Sequence, residues 1–162
     1  MSRETKDQLI GRLIAAYRAS SSQESAFDAL AAARLGISLT DLRCLDVIQS
    51  RGGLTAGELA AASGLTTGAV TAVADRLERA GLARRVRDDA DRRKVNLEVT
   101  ERHYEQTGAI WGPLMRDWQR TLAGRFSAAE LATITEFLET VTALAEQHGE
   151  RVRDGAEGGA GA

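Results

Sequence analysis

Residues 55–100 read TAGELAAASGLTTGAVTAVADRLERAGLARRVRDDADRRKVNLEVT, and the order of signals inside this stretch decides the fold. Thr55-Ala-Gly-Glu58 is a capping box, in which the threonine side chain accepts from the Glu58 backbone and the glutamate reaches back. It opens a short helix anchored by Leu59. Ser63-Gly64 supplies a turn, and Thr66 caps a second helix. Val70, Val73, Ala74 and Leu77 of that helix recur at i, i+3, i+4 and i+7, and Gly81 ends it. The period then changes from helical to two. Leu82, Arg84 and Val86 alternate with Arg85 and Arg87. After a polar tip, Val95, Leu97 and Val99 alternate with Lys94, Asn96 and Glu98. Two helices across a tight turn, followed by a two-stranded ribbon with a charged tip, are the layout of a winged helix-turn-helix.

The flanks are helical. Leu9, Ile10, Leu13, Ile14 and Tyr17 keep helical spacing, Ser20-Ser21-Ser22 weakens it, and Phe27, Leu30 and Ala31 resume it up to Gly36. The spacing leaves open whether this is one bent helix or two. Thr40 reads as the N-cap of the next helix, with Leu42, Leu45 and Ile48 inward and Gly52-Gly53 at its end. Thr100 starts a long helix with Trp111, Leu114, Met115, Trp118 and Leu122 on one face. Pro113 within it removes a backbone donor and predicts a kink. Ser127-Ala-Ala-Glu130 is a second capping box, stapled by Phe126 and Leu131, and opens a last helix carrying Ile134, Leu138, Val141 and Ala145. The fold class expected is mainly α with a small β-hairpin. Helices at 1–36 and 101–148 flank a winged helix-turn-helix at 37–100, and 149–162 reads as a disordered tail.

A chain of 162 residues can bury one real core, and its 43% hydrophobic and 27% charged content place it among globular proteins. The net charge of -2 argues against a polyanionic partner, yet the charge is uneven. Residues 84–94 hold six basic and three acidic side chains, and a local basic patch is what phosphate attraction needs. Cys44 is the single cysteine, so no intrachain disulfide forms; it reads as a buried small hydrophobe in a reducing compartment. The charged N-terminus and the lack of a long apolar run predict a cytoplasmic protein away from membranes. His103 and His148 have no partner ligands at metal spacing. No phosphate-binding glycine loop or nucleophile elbow occurs, so neither an enzyme nor a metal or cofactor site is expected.

The helix from Thr66 offers Thr66, Thr67, Gly68, Ala69, Thr71 and Arg76 away from its apolar stripe. Small residues allow close approach to base edges, threonine hydrogen-bonds either base, and a helix N-terminus suits a phosphate. In the ribbon, Arg84, Arg85, Arg87 and Lys94 are placed for phosphates. At its tip, Arg92 and Arg93 suit a narrow minor groove, with Asp91 holding Arg93 extended. Asp88 and Asp89 count against that reading, since they repel phosphate. Trp111 and Trp118, with Tyr17, are candidates for lining an aromatic-ligand cavity, although packing in a helical interface is the favoured reading of the tryptophans.

The run Gly64–Thr71, then Asp75-Arg76-Leu77-Glu78 with Gly81-Leu82, then Asp91-Arg92-Arg93 five residues before Val99-Thr100, resembles the MarR family of bacterial transcription regulators. The family's wing pattern is Asp-x-Arg, five residues, then Leu-Thr. The resemblance implies a homodimer whose first and last helices interlock, a recognition helix from Thr66, and a wing arginine at Arg93. It implies double-stranded DNA with a pseudo-palindromic operator as partner, and a small aromatic effector that releases it. Ala72 and Asp89 stand where the family often has arginine and proline, and no cysteine lies near the N-terminus, where the oxidant-sensing branch carries one. The function expected is a DNA-binding transcriptional regulator acting as a repressor. A winged-helix protein-interaction module and a ligand-binding dimer independent of DNA remain open as alternatives.

Overall fold

The computed structural model describes residues 4–87, 91 and 94–158, the side chains of 153–158 excepted. Helix α1 spans Lys6–Leu35, α2 Leu39–Ser50, α3 Ala56–Ser63, α4 Thr67–Arg79, α5 Glu101–Arg125 and α6 Ala128–Gly158. Strands β1 (Leu54–Thr55), β2 (Ala83–Arg87) and β3 (Val95–Val99) form an antiparallel sheet in the order β1-β3-β2. The chain divides into two compact units, residues 1–111 and 112–162, with the boundary beside Pro113 of α5. Among the described residues no helix is long and apolar enough to cross a membrane.

Local chemistry explains most of the boundaries. Thr55 and Glu58 form the expected capping box, as do Ser127 and Glu130. Gly64 takes up a left-handed conformation (φ 69°) that turns α3 into α4, and Thr66 Oγ1 accepts from the Ala69 amide. The question left open at the serine run is settled: α1 is one helix, since serine costs a helix only tenths of a kcal/mol, roughly, per residue. Three features differ from the sequence expectations. Ser38, not Thr40, caps α2, because Asp41 lies three residues on and closes a capping box with it. The hairpin gains a third strand, since β1 pairs Leu54 with Leu97 and Thr55 with Asn96. Helix α6 continues past Gly149 to Gly158, because a glycine costs about 1 kcal/mol in a helix yet keeps its backbone donor.

The core of the first unit lies where α2, α3 and α4 meet the sheet. Leu45, Ile48, Leu59, Val70, Leu77 and Leu82 are fully buried there. Truncating any of these leucines costs about 2–5 kcal/mol. Cys44 is buried with them, as expected, and burial, then the field of Asp41, pushes its thiol pKa up. Gly53 (φ 107°) brings the chain onto β3 so closely that a Cβ there would stand 3.2 Å from Glu98 Cγ.

Thr100 fastens the ribbon to α5. Its amide donates to Leu82 O (3.1 Å), its hydroxyl to Gly81 O (2.7 Å), and its Oγ1 accepts from the His103 amide. His103 is buried, with Nε2 2.7 Å from Gln49 Oε1 and, among the described residues, no hydrogen-bond partner for Nδ1. Burial lowers its pKa.

Candidate nucleic-acid interface

Helix α4 commits Val70, Val73, Ala74 and Leu77 to the core, which leaves the opposite face outside. Thr66, Thr67, Gly68, Thr71 and Ala72 are exposed, and Ala69 is half-buried. The Thr71 hydroxyl donates to Thr67 O (3.1 Å), which leaves its oxygen an acceptor, whereas Thr66 serves as the cap. Gly68 has a helical φ, and a Cβ built on it meets nothing within 4 Å. Neither backbone geometry nor packing in the chain therefore requires glycine there. Its cost is about 1 kcal/mol against alanine, and Gly11, Gly57 and Gly108, in other helices, are equally open.

The ribbon register pairs Arg84 with Glu98, Arg85 with Leu97, Val86 with Asn96 and Arg87 with Val95. Directly paired residues share a sheet face, so Arg85 and Arg87 lie on the face that carries buried Leu97. Arg84 meets Glu98 at 3.3 Å across the strands. Arg85 reaches back to α4: Nη2 lies 2.7 Å from Asp75 Oδ1, Nη1 pairs with Glu78 Oε2, and its amide donates to Glu78 Oε1 at 2.9 Å. The hydrogen bond to Asp75, with the fields of both carboxylates, raises the Arg85 pKa. Arg87 is exposed and makes no ion pair among the described residues. Lys94 is exposed, and its amide donates to Asp91 O at 2.8 Å. The expectations for Arg92 and Arg93, and for Asp88 and Asp89, lie outside the described residues.

Arg76 has a partner that sequence reasoning missed. Its Nε lies 3.1 and 3.0 Å from the two Asp41 carboxylate oxygens, and Nη2 lies 2.7 Å from Oδ1. Burial alone would push the Asp41 carboxyl up. Hydrogen bonds from Arg76 and from the Ser38 backbone and hydroxyl outweigh it and hold the pKa below the usual value. The Ser38-x-x-Asp41 spacing was a usable signal for the cap, but a partner 35 residues away is invisible before folding.

The aromatic candidates are placed differently from one another. Trp111 packs edge-on against Phe27, with centroids 5.9 Å apart and planes at 78°. Tyr17 is half-buried in α1, and Trp118 is exposed on α5. A cavity of about 170 Å³ lies beside α1 and α5, lined by Arg34, Leu35, Gln106, Ala109 and Ile110.

A sequence profile described as MarR family matches residues 35–94. The uncharacterized HTH-type transcriptional regulator YcgE of Bacillus subtilis (strain 168) is 32% identical over 154 residues, spanning 93% of this chain and 97% of that protein. A MarR family protein from Bacillus stearothermophilus superimposes with a TM-score of 0.66 at 22% identity, over 88% of this chain and 99% of its own. Streptococcus pneumoniae FabT, solved in complex with DNA, gives a TM-score of 0.61 at 23% identity, over 84% of this chain and 97% of its own. These two structures establish the likeness of fold.

Proposed function

The chain belongs to the MarR family, and from that premise we propose that it is a sequence-specific DNA-binding transcriptional repressor that works as a homodimer. Helix α4 enters the major groove with Thr67, Gly68, Ala69 and Thr71 toward the bases. Arg84, Arg87 and Lys94 contact phosphates, and Arg92 and Arg93 of the wing reach the adjacent minor groove. One observation carries the reading. The face of α4 opposite its buried stripe, from the Thr66 cap through Thr67, Gly68 and Thr71, is exposed in the same unit as the exposed ribbon cations Arg87 and Lys94. The DNA complex of FabT, a protein of the same fold, is in keeping with it.

Two apolar stripes support the homodimer. Leu9, Ile10, Leu13 and Ile14 of α1 are about half exposed, as are Leu138 and Leu144 of α6, with Ile134 somewhat less so. Contiguous exposed apolar surface of this kind marks an association face. Paired subunits would set two α4 helices roughly 34–36 Å apart along one side of the duplex. Release by a small aromatic effector, bound beside Trp111, Trp118 or Tyr17, completes the proposal.

Selection of bound duplexes from a random pool tests the function. The expected product is a pseudo-palindrome with half-sites centred about one helical turn apart. A pool that enriches no sequence, at low salt and with folded protein, would overturn the reading.

A further inference from the structure

Helix α4 carries two carboxylates on the part of its surface nearest the ribbon. Asp75 and Glu78 are three residues apart, and their side chains are 50% and 33% exposed. A helix read as entering a phosphate-lined groove gains nothing from two negative charges there, since like charges raise the electrostatic cost of approach. Arg85 of β2 stands between them. One terminal nitrogen faces Asp75 Oδ1, the other Glu78 Oε2, and the Arg85 amide holds the remaining Glu78 oxygen.

Building on the DNA-binding reading above, we propose that Arg85 is a positioning residue. It neutralises and clasps Asp75 and Glu78 of α4 instead of contacting a phosphate itself. The fork geometry is the reason. A guanidinium binds a phosphate best through two parallel N–H donors. In Arg85 both terminal nitrogens are already aimed at carboxylates of its own chain. The same contacts tie β2 to α4, so ribbon and helix meet a duplex as one piece. Arg87, two residues further along the same strand face, has no such partner among the described residues and is left for phosphate.

The test compares the full-length wild type with Arg85→Gln, Arg85→Lys and the triple variant Arg85→Gln/Asp75→Asn/Glu78→Gln. Each is titrated onto one selected operator duplex at several salt concentrations, with melting curves confirming that each is folded. The expected result is a loss of roughly tenfold for Arg85→Gln. The triple variant should recover most of it, because the charges that needed cancelling are gone. Arg85→Lys should bind better than Arg85→Gln. A triple variant as weak as Arg85→Gln overturns the inference, as does an Arg85→Gln that binds like the wild type. If Arg85→Gln also lowers the salt slope by about 0.9 and the triple variant does not recover, Arg85 is a phosphate contact. A wild type that binds no duplex removes the DNA reading itself, which is a separate failure.

Discussion

The guanidinium of Arg76 meets both carboxylate oxygens of Asp41 at 2.7–3.1 Å, fastening α4 to the first turn of α2. The pair is unequal: the Asp41 side chain is fully buried, whereas that of Arg76 is 41% exposed. Removing the arginine strands a charge in the interior, while removing the aspartate returns an arginine to water. Arg76→Ala should therefore destabilise by about 2–3 kcal/mol, and Asp41→Asn by about 1 kcal/mol. Urea unfolding of both variants measures this. Equal losses would show that the carboxylate finds solvent without help.

Burial of His103 gives the fold a pH dependence whose sign follows from the lowered pKa. Its folded pKa lies below the unfolded value of about 6.5, because burial disfavours the imidazolium. The unfolded chain then binds more protons, so stability is full above about pH 6.5 and declines as pH falls toward the folded pKa. His103→Gln keeps a polar group for Gln49 and removes the titration. Melting temperatures of the two proteins between pH 7.5 and pH 5, roughly, should converge toward acid. Parallel curves would remove His103 from the account.

Salt dependence separates the ribbon cations. Arg87→Ala and Arg93→Ala should each weaken operator binding by about 1–3 kcal/mol and reduce the salt slope by about 0.9. Arg84→Ala should do less, since Glu98 already shares that charge at 3.3 Å. Mobility-shift titrations at three or more salt concentrations, roughly, suffice. Unchanged slopes for Arg87 and Arg93 would remove the wing from the interface.

The apolar stripes predict the oligomeric state. Ile14→Glu and Leu138→Glu each place a charge on a half-exposed apolar face. Each should yield monomer by sedimentation and abolish tight operator binding, because one half-site contact cannot match two. A monomeric variant that still binds tightly would contradict the paired geometry.

Most local signals are legible in the sequence, the Ser38 cap being the exception, and long-range ones are not. Thr55 with Glu58, and Ser127 with Glu130, are readable because their partners lie three residues away. The stripe at Val70, Val73, Ala74 and Leu77 was readable for the same reason, and it fixes which face of α4 is outside. Strand β1 has two residues, too few to show a period, and exists because β3 is there to pair with it. Ser38 and Thr40 compete as caps within three residues, and only the partner at Asp41 decides between them. Arg76 and Arg85 looked like ligand-facing cations because nothing in their neighbourhood along the chain reveals the carboxylates that tertiary structure brings to them.

Strand β3 is held along both edges, by β1 on one side and β2 on the other. A one-residue slip would carry Leu97 out of the core and bring Asn96 or Glu98 in, so its register is locked at the root of the ribbon. Residues added between 87 and 94 would therefore lengthen the arm without disturbing its mounting. Reach and anchorage are therefore separable in this architecture.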